Sequence, residues 1–320
     1  MIKKIAVLTS GGDAPGMNAA IRSVVRSSMS YGIKVFGVRD GYLGLIHDDI
    51  FELGPDDVSG IIVQGGTILG SARVPGFKEA AVRELALENL KKHEIDALVV
   101  IGGDGSYRGA LSLAKSGIAV ATIPGTIDND IPGTEQTIGF DTALNTAIEA
   151  IDKLRDTSTS HHRCSVVEVM GNHCGDIALY SGIATGAELV ITPETGFDFK
   201  ETIQHLRELD EVRKKKHAVV VISEKLTDVE DLAVHISAQT SFSGRSTVLG
   251  YVQRGGSPTA MDRILATQMG DSAVKSLVEG NKDHAVGWID GKISSMPIEA
   301  AFEYKRSRKD DLFDLQKRLV

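Results

Sequence analysis

Residues 118–130 read Ile118-Ala119-Val120-Ala121-Thr122-Ile123-Pro124-Gly125-Thr126-Ile127-Asp128-Asn129-Asp130, and this stretch decides how the rest of the chain is read. Its first six residues form an apolar run that predicts a strand buried on both faces, as in a parallel sheet. Pro124 and Gly125 stop the strand. The turn beyond presents a hydroxyl, Thr126, and two carboxylates, Asp128 and Asp130. Two carboxylates at the end of a buried strand are costly unless something cationic or protic lies between them. A metal ion, or a hydroxyl losing its proton, would satisfy them. So would an ordinary turn, in which Asp and Asn bond to local backbone.

The same pattern recurs on either side. Ile5 to Thr9 is a short apolar run followed by SGGDAPGMNAAIRSVVRSS. Strand, glycine turn and helix together leave free backbone N–H groups and the positive end of a helix dipole facing a ligand. Asp13 and Asn18 are candidate caps of that helix. Arg22 and Arg26, four residues apart, share one of its faces, either as an anion site or as a solvated surface. Lys34 to Val38 predicts a second strand, and Lys78 to His93 a helix with Val82, Leu85, Ala86 and Leu90 on one face. Ala97 to Ile101 runs into Gly102-Gly103-Asp104-Gly105-Ser106, and a helix is expected from there. Asp104 in such a turn suits a hydrated magnesium ion that bridges phosphates; an Asp–Gly turn is the plain alternative.

Further along, a helix is expected over 141–156 and a polar loop over 157–163, where His161 and His162 stand side by side. Strands are expected at 165–169, 188–191, 218–222 and 246–249, and helices at 177–185 and 201–216. Residues 285–289 and 292–294 predict a hairpin around Asp290-Gly291. At least five apolar strands thus end in glycine-rich turns. In open parallel α/β sheets ligands sit at the carboxyl ends of strands, so the turns are expected to converge on one cleft or two facing ones.

Composition narrows the function classes. The chain has 320 residues, 42% hydrophobic and 24% charged, which suits one large or two moderate soluble domains. Its net charge of −8 disfavours nucleic acid as a partner. Two cysteines, Cys164 and Cys174, give no disulfide or zinc framework and point to a reducing cytosol. The N-terminal apolar run is too short for a signal peptide, and no stretch has membrane-spanning length. Carboxylates in metal-friendly turns, together with Arg73, Arg163, Arg245 and Arg254, make up the parts for phosphoryl transfer to or from anionic ligands.

Six segments carry a closer resemblance: LTSGGDAPGMNAAIR, VVIGGDGSY, PGTIDND, RDTSTSHHR, VVEVMG and VLGYVQRGGSP. In this order and spacing the chain resembles the ATP-dependent 6-phosphofructokinases of the bacterial type over essentially its whole length. The resemblance implies an α/β fold of two doubly wound three-layer α/β/α domains with mostly parallel sheets. Residues 1–138 plus 252–302 would bind ATP, and 139–251 plus 303–320 fructose 6-phosphate. It implies a cytoplasmic homotetramer with sites between subunits, and no nucleic-acid or membrane partner.

It also implies roles. Asp128 would be the general base that takes the proton from the sugar 1-hydroxyl, with Thr126, Asp130 and Gly12 at the reacting end. Gly12, Arg73, Val74, Gly103, Asp104, Gly105 and Ser106 would surround ATP, and Asp104 would hold Mg2+. Thr126, Ile127, Asp128, Met170, Gly171, Asn172, Glu224, Tyr251 and Arg254 would bind fructose 6-phosphate, joined by Arg163 and Arg245 from a neighbouring subunit. Arg22, Arg26, Arg155, Gly186, Glu188, Arg213, Lys215, Lys216 and His217 would form an effector site for ADP and phosphoenolpyruvate. Gly105 and Gly125 stand where the pyrophosphate-dependent relatives carry an aspartate and a lysine, which favours ATP as donor.

The chain departs from the family's pattern at four points. Tyr251 replaces a histidine beside the sugar phosphate, and Asn172 an arginine. Pro55 and Gly60 replace an arginine and an aspartate at the effector site, so a weakened effector response is expected. Three rival readings are another GGDG-type kinase, a dinucleotide-dependent oxidoreductase and a non-catalytic nucleotide sensor. The first lacks the YVQRGGSP and RDTSTSHHR segments, and Asp40 is a poor fit to the acid that the second requires.

Overall fold

A computed structural model describes residues 2–306 and 309–319. The chain divides into two units, Met1–Thr142 with Arg254–Arg306, and Ala143–Gln253 with Ser307–Val320. Residues 1, 307, 308 and 320, which fall within the expected domain segments, lie outside the described residues.

The elements of the first unit run β1 (Lys4–Ser10), α1 (Met17–Ser30), β2 (Lys34–Val38), α2 (Tyr42–His47), β3 (Ile50–Leu53), α3 (Ala80–Lys92), β4 (Ala97–Gly102), α4 (Asp104–Lys115) and β5 (Ala119–Pro124). Helix α5 (Phe140–His161) leads into the second unit: β6 (Arg163–Val169), α6 (Asp176–Thr185), β7 (Leu189–Ile191), α7 (Phe199–Arg207), β8 (Ala218–Ser223), α8 (Val229–Gln239) and β9 (Ser243–Val248). The chain then returns to the first unit with α9 (Ala260–Val278), β10 (Asp283–Ile289), β11 (Lys292–Met296) and α10 (Ile298–Glu303), and ends in the second with α11 (Asp310–Arg318).

The first unit is built on a seven-stranded sheet of order β11-β10-β5-β4-β1-β2-β3. Only the edge strands β3 and β11 are antiparallel. The central strands β1 and β4 are buried along nearly their whole length, as apolar runs covered on both faces should be. On one face Ala6, Leu8, Leu98, Val100 and Val120 pack with Leu90, Tyr107, Leu113 and Ile298 from the helices. The second unit carries a four-stranded parallel sheet of order β7-β8-β6-β9. Val166, Val220 and Ile222 on its strands pack against Ile203, Leu206, Leu232 and Ile236 of α7 and α8. Lys309 ion-pairs with Asp176 at 2.6 Å, which fixes the approach to α11 on this unit. No helix among the described residues is long and apolar enough to cross a membrane.

Several local expectations fail for identifiable reasons. Gly16, not Asp13 or Asn18, stands at the N-cap of α1, with no side-chain cap. Leu85 of α3 is exposed, while Ala86 and Leu90 are buried, so the apolar stripe is narrower than its composition suggests. The polar residues 157–161 are helical, and Ser158, Thr159 and Ser160 satisfy their hydroxyls by bonding back to the carbonyl four residues earlier. Helix α7 stops at Arg207 and a π-helical turn, Glu208–Val212, carries it to a C-cap at Arg213, so the helix ends at the start of the basic run rather than at Lys216.

One buried acid holds the first unit together across a long stretch of sequence. Asp262, in the first turn of α9, accepts from the backbone N–H of Gly139 and Thr142 at 2.8 Å each and from the Thr142 hydroxyl at 2.5 Å. Thr142 returns the contact, its Oγ1 accepting from the Thr259 N–H at 3.0 Å. Burial pushes the Asp262 carboxyl up to about 6, although these donors oppose the rise. The folded state therefore binds this proton more tightly than the unfolded chain between pH 3.8 and about 6, and stability falls as pH climbs through that window. Asp262→Asn turns a donor toward donors and is expected to cost about 1–3 kcal/mol at pH 7. Urea unfolding at pH 4, 5 and 7 checks this; the gap to the unsubstituted protein should widen toward pH 4.

Candidate active site

In the first unit the strand order reverses beside β1: the chain steps outward to β2, then returns to place β4 on the other side. Ligands of open α/β sheets sit at the carboxyl ends of the strands at such a point. The parallel register pairs Ser10 with Gly102, and Gly102 with Pro124. Three loops therefore leave the sheet side by side: Gly11-Gly12, Gly103-Asp104 and Gly125–Asp130. Gly125 N–H donates to the Gly102 carbonyl at 3.1 Å, joining two of them directly.

The loop that carries Thr126, Asp128 and Asp130 is held from behind. Asn129 is buried and takes a left-handed φ of 54°. Its Oδ1 accepts from the Thr137 N–H at 2.9 Å, and its Nδ2 donates to the Glu135 carbonyl at 3.1 Å. The Thr137 hydroxyl donates to the Thr126 carbonyl at 2.6 Å. Arg306 adds donors to the carbonyls of Asn129 and Glu135. Ile127 is buried below the loop, while Thr126, Asp128 and Asp130 are half-buried at its surface. Thr126 Oγ1 accepts from the Asp128 N–H at 3.2 Å, which orients the first carboxylate.

Asp104 is the first residue of α4 rather than part of a free turn. Arg108, one turn on, grips it with two bonds, at 2.9 and 3.2 Å. Sequence reading passed over Arg108, although the Asp–Arg spacing of four on a helix was a usable signal. No cluster of three or more His, Cys, Asp or Glu side chains that could hold a metal ion occurs among the described residues. A single carboxylate suits magnesium, which keeps several waters and takes its remaining ligands from phosphates. Gly105 is exposed, and a Cβ there would meet nothing within 4 Å. At Gly125 a Cβ would lie 3.0 Å from Met17 Cε and 3.1 Å from Ile101 Cγ2, so that side is filled. Ser106 is buried and donates to the Ser10 carbonyl at 3.0 Å. The Arg254 guanidinium lies 3.6 Å from where a Cβ of Gly12 would be. Arg73 is exposed, with Val74 beside it.

The second unit repeats the reversal, between β6 and β9. Its carboxyl rim brings together Met170, Gly171, Asn172, Glu224 and Tyr251. Glu224 Oε1 accepts from the Asn172 N–H at 2.8 Å and the Gly171 N–H at 3.3 Å. Gln253 accepts from the Met170 N–H at 3.4 Å and donates to the Gly250 carbonyl at 3.1 Å. Tyr251 is 77% exposed, so its ring is available to a ligand. Arg163 and Arg245 do not join this rim. Arg163 opens β6, and Arg245 pairs with Ser165 near the same amino end. The seven residues of β6 put about 23 Å between Arg163 and Met170, at ~3.3 Å per residue.

A second cluster also lies at that amino end. Glu188 is buried; its Oε2 accepts from the Val219 N–H at 2.8 Å, and its Oε1 lies 3.1 Å from Lys215 Nζ and 3.5 Å from an Arg155 nitrogen. Arg155 also donates to the Gly186 carbonyl at 2.8 Å. Arg213 faces Glu208 instead, and Lys216 is exposed beside a half-buried His217. In the first unit Arg22 is half-buried, and Arg26 donates to the Pro55 carbonyl at 3.3 Å.

Residues 4–277 match the phosphofructokinase family model. The chain is 56% identical to the ATP-dependent 6-phosphofructokinase of Aliivibrio fischeri strain MJ11 and 55% identical to that of Vibrio vulnificus strain YJ016, over 100% of each chain in both cases. Among solved structures, phosphofructokinase from Saccharomyces cerevisiae superposes with a TM-score of 0.87 at 35% identity, covering 99% of this chain and 48% of that one. This chain thus spans about half the length of the yeast protein. The pyrophosphate-dependent enzyme from Marinobacter aquaeolei shares the fold, with a TM-score of 0.86 at 22% identity over 100% of this chain and 92% of that one.

The glycines of the rim separate into two kinds. A Cβ at Gly12 meets only ordinary contacts, whereas one at Gly102 would collide with the Ser10 carbonyl oxygen and the Ser106 side chain. Gly102→Ala is therefore expected to cost about 1–3 kcal/mol by overpacking, and Gly12→Ala about 0.5 kcal/mol or less. Thermal unfolding of the two variants distinguishes them; equal losses would contradict the assignment.

Proposed function

The chain belongs to the phosphofructokinase family and transfers the γ-phosphate of ATP to the 1-hydroxyl of fructose 6-phosphate in glycolysis, and we propose that Asp128 is the general base of that transfer. The observation that supports this is the register that sets Ser10, Gly102 and Pro124 in one row. It aligns a backbone nest, a metal-holding acid and a base-bearing loop along a single rim. The first unit then serves ATP. Gly12, Arg73, Val74, Gly103, Gly105 and Ser106 enclose the nucleotide, and Asp104 holds the magnesium ion that neutralises charge on the phosphates. Asp128 accepts the proton of the sugar hydroxyl, with Thr126 and Asp130 beside it and Ile127 fixing the loop from below. The second unit serves fructose 6-phosphate through Met170, Gly171, Asn172, Glu224 and Tyr251, and Arg254 belongs to the same substrate.

Arg163 and Arg245 stand at the far end of the second unit's strands from Met170 and Glu224, so they reach a sugar phosphate only from a neighbouring copy. This supports an oligomer with shared sites, which we take to be a homotetramer of the cytoplasm. Arg155, Gly186, Glu188 and Lys215 form the core of an effector site for ADP or phosphoenolpyruvate, with Arg213, Lys216 and His217 on the same unit; Arg22 and Arg26, on the first unit, are assigned to the same effector. Pro55 and Gly60 remove two of the side chains expected there, so the effector response is weak.

Loss of a general base typically lowers the rate ~10²–10⁴-fold. Asp128→Asn is therefore expected to reduce kcat by that factor with KM for ATP little changed, read in a coupled assay for fructose 1,6-bisphosphate. A kcat within a few-fold of the unsubstituted enzyme would remove Asp128 from the role. Tyr251 donates one hydrogen bond but carries no positive charge. Tyr251→His should lower KM for fructose 6-phosphate; an unchanged or higher KM contradicts its placement.

A further inference from the structure

We propose that the ammonium of Lys225 is a binding determinant for the sugar phosphate, a cation held ready at the second unit's carboxyl rim. This rests on the reading that the rim takes fructose 6-phosphate. Lys225 follows Glu224 in the loop after β8, and that loop is anchored by the Glu224 N–H donating to the Val169 carbonyl at 2.9 Å. Lys225 Nζ donates to Asn172 Oδ1 at 2.6 Å. The same two loops are joined again through Glu224 Oε1 and the N–H groups of Gly171 and Asn172. Lys225 and Asn172 both take left-handed backbone angles, φ 69° and 57°. Left-handed angles are uncommon for lysine, and such strain gathers at ligand-binding sites.

The partner's chemistry is the telling feature. A surface lysine near acids ordinarily pairs with one of them. The rim is acidic: burial, then Glu224, then Asp228, raise the Glu168 carboxyl above its ordinary value. Yet among the described residues no carboxylate lies within ion-pairing distance of Lys225, and its partner is a neutral amide. An amide orients an ammonium without cancelling its charge. It occupies one of three donors and leaves two for a ligand. An anionic substrate approaching three carboxylates needs such a charge, and a lysine supplies it as a compact point cation. Lys225 itself is exposed, so a ligand can reach it.

Steady-state kinetics of Lys225→Met, Lys225→Arg and Asn172→Asp test the proposal. Lys225→Met should raise KM for fructose 6-phosphate roughly tenfold, the scale of one charge-assisted hydrogen bond, with KM for ATP and thermal midpoint unchanged. The difference should shrink as ionic strength rises. Lys225→Arg should stay within about threefold of the parent. Asn172→Asp keeps the lysine but pairs its charge, and should raise the same KM. A Lys225→Met enzyme with KM for fructose 6-phosphate within twofold overturns the proposal, as does a fall in kcat alone. The parent enzyme provides the separate check on the underlying reading: if it forms no fructose 1,6-bisphosphate, that reading fails and the proposal with it.

Discussion

Everything at the first rim depends on one register. β1, β4 and β5 run parallel and in step, so Ser10, Gly102 and Pro124 end at a common level. A one-residue slip would turn each strand's side chains to the opposite face and move its loop along the edge. Close packing prevents the slip, because Gly102 has no room for even a Cβ between Ser10 and Ser106. The row fixes where backbone donors, Asp104 and Asp128 can meet a ligand. Asn129 then converts that position into an orientation, by giving the loop after β5 a buried polar bracket in place of an apolar one.

The second unit shows the same economy with opposite ends of one sheet. Its carboxyl rim gathers Met170, Asn172, Glu224 and Lys225, while its amino end gathers Arg155, Glu188 and Lys215. Strands β6 and β8 pass between the two clusters. The buried Glu188 carboxylate accepts from the Val219 N–H at the start of β8, the strand whose other end delivers Glu224.

Much of this was legible in residue order. β-Branched runs ending in glycine gave the strands and their loops, because a strand buried on both faces leaves a continuous apolar signal. The acids of residues 124–130 stood out because carboxylates rarely follow such a run without a partner. What stayed hidden was non-local. Arg306 reaches back 171 residues to Glu135, and nothing near either residue announces it. The bond from Lys225 to Asn172 spans 53 residues and joins two loops that look independent in the chain. Helix α5 ran past its expected end through residues of polar, loop-like composition, whose hydroxyls bond back to its own carbonyls. The π-helical turn after α7 has no simple composition signal.

For the transfer to occur, one rim must present a magnesium-bound ATP and a sugar hydroxyl to each other. The most direct measurement is phosphorus NMR of the purified protein with fructose 6-phosphate and magnesium, supplied in turn with ATP and with pyrophosphate. Formation of fructose 1,6-bisphosphate and ADP from ATP, with no turnover of pyrophosphate, is the expected result. Turnover of pyrophosphate alone, or nucleotide hydrolysis that leaves the sugar unphosphorylated, would contradict it.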